Sequence, residues 1–199
     1  MRKVELLSKY KMMKKQNNNG GESTGIIVLE NHIYFYTDVT IESCLELNVI
    51  LHEMRLAKYK NIFLHINSYG GDLIGALAVV GTIRRSNIPI TSIVEGYAAS
   101  AATLISSACH RRWMLENGFM LIHEMRSGRE YMAHSKVEER LQNDRKYMET
   151  LVGHYEKYTK LDRKTLEEIL KTDVDLSAEE CVKLGLVDKI ADKINGRKK

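Results

Sequence analysis

Apolar positions along the chain alternate between a period of two and a period near 3.6, the marks of strands and helices. Ile26–Leu29 and His32–Tyr36 are β-prone runs split by the polar pair Glu30-Asn31, and they predict two neighbouring short strands. Thr40 then stands as an N-cap before Ile41, Leu45, Val49 and Met54, which recur at helical spacing to about Lys58. Asn61–Ile66 predicts a strand, the turn Asn67–Gly71 leads into a helix over about Asp72–Arg85, and Ile90–Glu95 predicts a further strand. A small-residue turn opens a helix over about Ser100–Ala108. Two short strands follow, Trp113–Leu115 and Phe119–His123, around the turn Asn117-Gly118. Such alternation predicts an α/β fold of right-handed crossover units on a parallel sheet.

Tyr131–Tyr158 reads as one long charged helix with a sparse apolar face of Val137, Leu141, Tyr147 and Leu151. A helix of that length reaches roughly 40 Å. It is too polar to be buried in a small domain, so it is expected to project and pack on another subunit. Asp162 caps a short helix, Ser177 with Glu180 forms a capping box before a last helix stopped by Gly185, and Leu186–Ile190 closes the fold. Residues 1–24, with the turn-rich run Gln16–Gly21, are expected to be a flexible basic segment. Residues 25–190 then form one domain and 191–199 a basic tail.

Composition narrows the class. With 44% apolar and 28% charged residues among 199, the chain is neither disordered nor in need of a stapled core. Three scattered cysteines, Cys44, Cys109 and Cys181, fit neither a disulfide framework nor a metal site, and no cofactor is called for. No run approaches 18 apolar residues, and the N-terminus lacks a signal-peptide pattern. A cytoplasmic protein without a membrane partner is the expectation. Met1–Lys15 carries a net +5 and Lys189–Lys199 a net +4, so the span between carries −5 of the total +4. That body has no basic stripe with interleaved aromatics, and nucleic acid is not an expected partner.

Four places carry candidate chemistry. Ser100, in GYAASAA, follows a strand and opens a helix among small residues, where unpaired N–H groups gather. Taken alone, its simpler reading is an N-cap serine in a tight turn. Gly70 and Gly71 in NSYGG can present backbone N–H groups to an anion, although a strand followed by Gly-Gly is usually only a turn. His123 ends the apolar strand FMLIH on the sheet edge where α/β sites form. His65 alternates within its strand and reads as structural, His110 sits beside Arg111 and Arg112, and His134 and His154 fall on the long helix, read as exposed. Asp173 and Asp175 both lie in TDVDLS, and either can orient an imidazole.

Taken in order, INSYGG, GYAASAA, MLIHE and TDVDLSAEECVKLGLVDKI resemble the Clp protease proteolytic-subunit (ClpP) family of serine peptidases over roughly Ile26–Ile190. The resemblance implies a crotonase-like fold of stacked βαβ units with a protruding handle helix. It maps a catalytic triad onto Ser100, His123 and Asp173, and oxyanion donors onto the Gly71 and Ala101 amides. Peptide is expected to lie as an added strand at Gly70 and Gly71, near Met125. The resemblance also implies a homo-oligomer of two stacked heptameric rings, unfolded protein or peptide as substrate, and an AAA+ Clp unfoldase as partner. Several positions depart from the family pattern. Tyr69 replaces the proline of NSPGG, Glu124-Met125 replaces Gln-Pro, and the stretch between Ser100 and His123 is about two residues shorter. Phe63 and His65 stand where the family places two aromatics that grip unfoldase loops.

Other readings remain open on these residues. They are a crotonase-like acyl-CoA enzyme, an inactive subunit of a mixed ring, and a self-contained processing protease such as one acting on a capsid scaffold. CoA binding, peptide hydrolysis by the protein alone and copurification with an ATPase distinguish them.

Overall fold

The computed structural model describes residues 25–126 and 134–191. The predicted N-terminal segment and nearly all of the basic tail lie outside the described residues. Seven strands form one sheet: β1 (Ile26–Leu29), β2 (His32–Phe35), β3 (Ile62–Ser68), β4 (Ile90–Ala99), β5 (Arg111–Met114), β6 (Phe119–Leu121) and β7 (Lys189–Ile190). Their order is β1-β2-β3-β4-β5-β7, with β6 paired to the far end of β4. Only β1 and β2 are antiparallel, joined through Glu30-Asn31 with Glu30 at φ 54°. The other ladders are parallel, as the strand–helix alternation required.

Six helices are described: α1 (Ile41–Leu56), α2 (Leu73–Arg84), α3 (Ala101–Ser107), α4 (His134–Tyr158), α5 (Arg163–Leu170) and α6 (Ala178–Leu184). Their ends follow local chemistry. Thr40 and Ser43 cap each other's backbone, Asp72 and Asp162 accept from the amides three residues on, and Ser177 and Glu180 form the predicted box. Gly185 ends α6 at φ 72°, where a Cβ would lie 2.8 Å from the Lys160 amide nitrogen.

One sheet face, with Ile33, Phe35, Leu64, Ile66 and Val94, joins the buried cluster that the helices complete. Helix α3 is buried along its whole length on this face, where the Ser92 hydroxyl donates to the Ser106 carbonyl at 3.2 Å. The opposite face is lined by rings: His32, Tyr34, Phe63, His65 and Trp113. Arg112 ties the chain's end to the body, donating to the carbonyls of Tyr158 and Gly185 and pairing with Asp188. Ala191 is buried and donates to the Met114 carbonyl at 2.8 Å, so the folded part includes the residue assigned to the start of the tail. All three cysteines are buried free thiols, with burial pushing Cys109 and Cys181 each up to about 12.

Three readings of the sequence are corrected here. On α1 the periodic set Ile41, Leu45 and Val49 faces solvent, with Leu45 63% exposed, and of the four only Met54 is buried. The core face is Cys44, Leu47, Ile50, Leu51 and Met54, because this helix is apolar on two sides and α2 covers only one. His154 is buried rather than exposed: its Nε2 meets the Ser107 hydroxyl at 2.7 Å, and burial lowers its pKa to about 4. The long helix is also not uniformly exposed. Val137, Leu141 and Tyr147 face solvent, while Leu151, Val152 and Tyr155 pack into the core.

Candidate active site

The site is built outward from the turn between β4 and α3. Ser100 sits there at φ 53°, ψ −126°, a conformation side-chain-bearing residues rarely adopt. Hydrogen bonds hold it in place. Its N–H donates to the Leu121 carbonyl at 2.8 Å, and its carbonyl accepts from the Thr103 hydroxyl at 2.6 Å and the Thr103 N–H at 3.0 Å. Thr103 is anchored in turn by the buried Tyr155 hydroxyl at 2.5 Å, so the strained turn leans on α4. The reading of Ser100 as a capping serine is not met, since its side chain makes no capping hydrogen bond. A strained serine at a strand-to-helix turn, its hydroxyl making no capping bond, is the geometry of a nucleophile elbow without the GxSxG sequence.

The NSYGG loop packs directly on this corner. A Cβ on Gly70, at φ 89°, would lie 2.4 Å from the Ala99 carbonyl oxygen and 2.7 Å from Ser100 Cβ. No side chain fits there. Gly71, at φ 141°, is pinned against Val39, whose N–H donates to the Gly70 carbonyl and whose carbonyl accepts from the Asp72 N–H. In a parallel bridge those two bonds belong to the flanking residues, so the Gly71 N–H points away from Val39. The Gly70 N–H is spent on the Ser68 hydroxyl at 3.1 Å. Ala101 is the first residue of α3, where N–H groups have no partner within the helix. A Cβ on Gly70 would also lie 3.0 Å from the Ala101 amide nitrogen, so the glycine loop packs on the first turn of α3. Asn67, which sequence reasoning left as a turn residue, bridges the bulge between β3 and β4 by accepting from the Tyr97 N–H at 3.0 Å.

His123 lies two residues beyond the end of β6, the strand whose Leu121 carbonyl receives the Ser100 amide. Its Nδ1 is 2.6 Å from the Glu124 carbonyl. A carbonyl only accepts, so Nδ1 carries a proton, and in the neutral ring Nε2 then has the lone pair that a general base needs. The Glu124 N–H donates to the Leu170 carbonyl, and Met120 and Leu176 exchange two backbone bonds. The 170–176 segment therefore runs beside 120–124 and brings both candidate acids to the histidine's neighbourhood. Asp173 pairs with Arg126, and Asp175 accepts from the Tyr97 hydroxyl at 2.6 Å. Burial and the Asp175 bond push the Tyr97 pKa up. Among the described hydrogen bonds none joins Ser100 to His123 or His123 to Asp173. The Met125 N–H reaches the Met148 sulfur at 3.2 Å, holding the strand's exit against α4. Tyr69 is 78% exposed, and its ring lies 5.3 Å from that of Tyr97. Sequence reasoning missed Arg126 and the Tyr97–Asp175 bond, for which no local pattern exists. Among the described residues no three His, Cys, Asp or Glu side chains gather as a metal site, and no helix is long and apolar enough to cross a membrane.

These features define an α/β protein with a serine elbow at a glycine-lined sheet edge. The family description "Clp protease" matches residues 16–194, and the chain belongs to that family. It is 28% identical over 198 residues, 95% of each chain, to an ATP-dependent Clp protease proteolytic subunit of Deinococcus radiodurans. Its fold is similar to an asparagine-to-aspartate mutant of ClpP1 from Listeria monocytogenes, with TM-score 0.76 and 19% identity, over 82% of this chain and 92% of that one.

Proposed function

We propose that this chain is a serine endopeptidase and the proteolytic subunit of a Clp-type protease, cleaving unfolded protein inside a homo-oligomer. The observation that carries this reading is Ser100: a strained residue at the start of α3 whose side chain makes no capping hydrogen bond, with Gly70 packed against it too closely to bear a side chain. Ser100 Oγ attacks the peptide carbonyl while His123 Nε2 takes its proton, then returns it to the departing amine. The Gly71 and Ala101 N–H groups receive the oxyanion, where losing one donor commonly costs about 3–4 kcal/mol. Asp173 completes the set when His123 Nδ1 exchanges the Glu124 carbonyl for its carboxylate, which Arg126 releases. Peptide adds as a strand at Gly70–Gly71 near Met125, so recognition is mostly of backbone. The electrostatics come from backbone amides, and the mechanism calls for no metal or organic cofactor.

The family membership and the name of the Deinococcus relative support ATP-dependent work with an unfoldase partner. One observation favours a second reading, a protease that works without the usual unfoldase. The grip position His65 is buried and committed to hydrogen bonds rather than presented to a partner. Copurification with an ATPase, or its absence, separates the two. The central test is Ser100→Ala in the full chain. Fluorophosphonate labelling and peptide hydrolysis should both vanish while the oligomer's mass is unchanged, and labelling that persists removes Ser100 from the role.

A further inference from the structure

The ring-lined sheet face carries a chain of hydrogen-bonded side chains that the proposed reaction does not use. His32 and Tyr36 come from β2 and its end, His65 from the middle of β3, and Glu95 from β4. His65 is 1% exposed, and both ring nitrogens are engaged. Nδ1 lies 2.7 Å from Glu95 Oε1, and Nε2 lies 2.8 Å from His32 Nδ1. The Tyr36 hydroxyl donates to the other Glu95 oxygen. The rings are stacked, Tyr34 on His65 at 4.3 Å and His32 on Phe63 at 4.8 Å, and Phe63 lies 6.1 Å from Trp113.

Counting protons along this chain leaves few solutions. A carboxylate only accepts, so His65 Nδ1 must carry a proton and Tyr36 must donate. His65 Nε2 and His32 Nδ1 then have one proton between them. With both rings neutral, that proton belongs to His32 and His65 accepts it. A first proton from water enters at His32 Nε2. The positive charge is then shared along the His32–His65 bond, His32 Nδ1 passing its proton to His65 Nε2 in the limiting form, which puts the imidazolium directly beside the Glu95 carboxylate. Every bond survives. A second proton puts N–H groups on both facing nitrogens and two positive charges on rings whose centroids are 5.1 Å apart.

We propose that His32, His65 and Glu95 form a two-stage proton switch: the intact chain absorbs one proton, and a second breaks the His32–His65 bond, lifts His32 from Phe63 and reshapes the aromatic face of the sheet. The groups facing the pair are Tyr34 and Tyr36 from β2 and Glu95 from β4, with Glu30 acting on His32 from the hairpin turn and Lys189 beyond, 4.2 Å over Trp113. Burial and the neighbouring His65 lower the His32 pKa against the opposing pull of Glu30 and Glu95, so charging this ring is harder than charging a free imidazole. The switch does not depend on Ser100 or on the peptidase reading.

The test is a titration of the full-length protein, labelled with nitrogen-15 histidine, from pH 8 to pH 4 by imidazole NMR. Emission from Trp113, the chain's one tryptophan, is followed alongside. His32 and His65 should titrate as a coupled pair in two steps, the first leaving Trp113 emission unchanged and the second altering it. His32→Gln keeps a donor for His65 Nε2 but takes no proton, so the acid-side change in emission should be lost and the neutral spectrum retained. Independent single-site titration of the two histidines in the wild type would overturn the switch, with no variant needed. So would an emission profile in His32→Gln that superimposes on the wild type.

Discussion

The two halves of the candidate site are built differently. The Ser100 corner is held mainly through its backbone: a strained φ, hydrogen bonds to both its N–H and its carbonyl, with the buried Thr103 hydroxyl among the donors, and a glycine contact that admits no side chain. At the His123–Asp173 edge the arrangement rests on side chains near loop ends, and each already holds another partner, the Glu124 carbonyl for one and Arg126 for the other. Backbone constraint gives a site preorganised in the single protomer, since moving it means breaking several buried bonds together. An exposed ion pair such as Arg126–Asp173 costs about 0–1 kcal/mol to exchange. In the proposed mechanism Ser100 is therefore the fixed part, and the His123–Asp173 pair is the part that substrate can adjust.

Substitutions that leave Ser100 in place can break this contrast, and the largest expected effect among them lies at the edge. Asp173→Asn should lower kcat by about 10⁴-fold, as losing the orienting carboxylate does in serine triads. Asp175→Asn should cost less than about tenfold, because the proposed mechanism gives no part to that carboxylate, which accepts from the Tyr97 hydroxyl. Equal losses from the two variants, in a peptide hydrolysis assay, would dissolve the distinction between them. Gly70→Ala comes next, at about 10³-fold, because the new methyl must displace the Ala99 carbonyl and Ser100 together. Near-normal turnover would show that the corner is softer than its contacts indicate.

Acid should act on the corner through His154, which backs α3 at Ser107. Its folded pKa of about 4 lies below the unfolded value near 6.5, so the unfolded chain binds the proton first. The His154 contribution to stability is complete above about pH 6.5 and is lost as pH falls through that window, by about 3 kcal/mol at pH 4. Urea unfolding at pH 7 and pH 4.5 should show a larger loss in the wild type than in His154→Asn. An equal loss would take His154 out of the acid response. Arg126→Ala should have the smallest effect, a rise in kcat of a few-fold with KM unchanged, as Asp173 is freed for His123. A fall in kcat would make Arg126 a support of the acid rather than a competitor for it.

Much of the molecule was legible along the chain. Strand and helix periods, the Thr40, Asp162 and Ser177 caps and the Gly185 stop are local signals spanning a few residues, and they place nearly every described element. The candidate serine was also legible, because a strand, a run of small residues and a helix in succession leave few conformations for the residue between them. Tertiary structure alone decided which side of α1 is core, since a helix apolar on two faces takes its inside from the neighbour that covers it. It also buried His154 on a helix that reads as charged throughout, and it joined His32, His65 and Glu95 across three strands. What Asp173 holds was likewise set by a partner reached through folding, Arg126 lying 47 residues before it. Periodicity records what a residue's neighbours in sequence require of the backbone. It carries no record of which distant side chain arrives to share a proton or a charge.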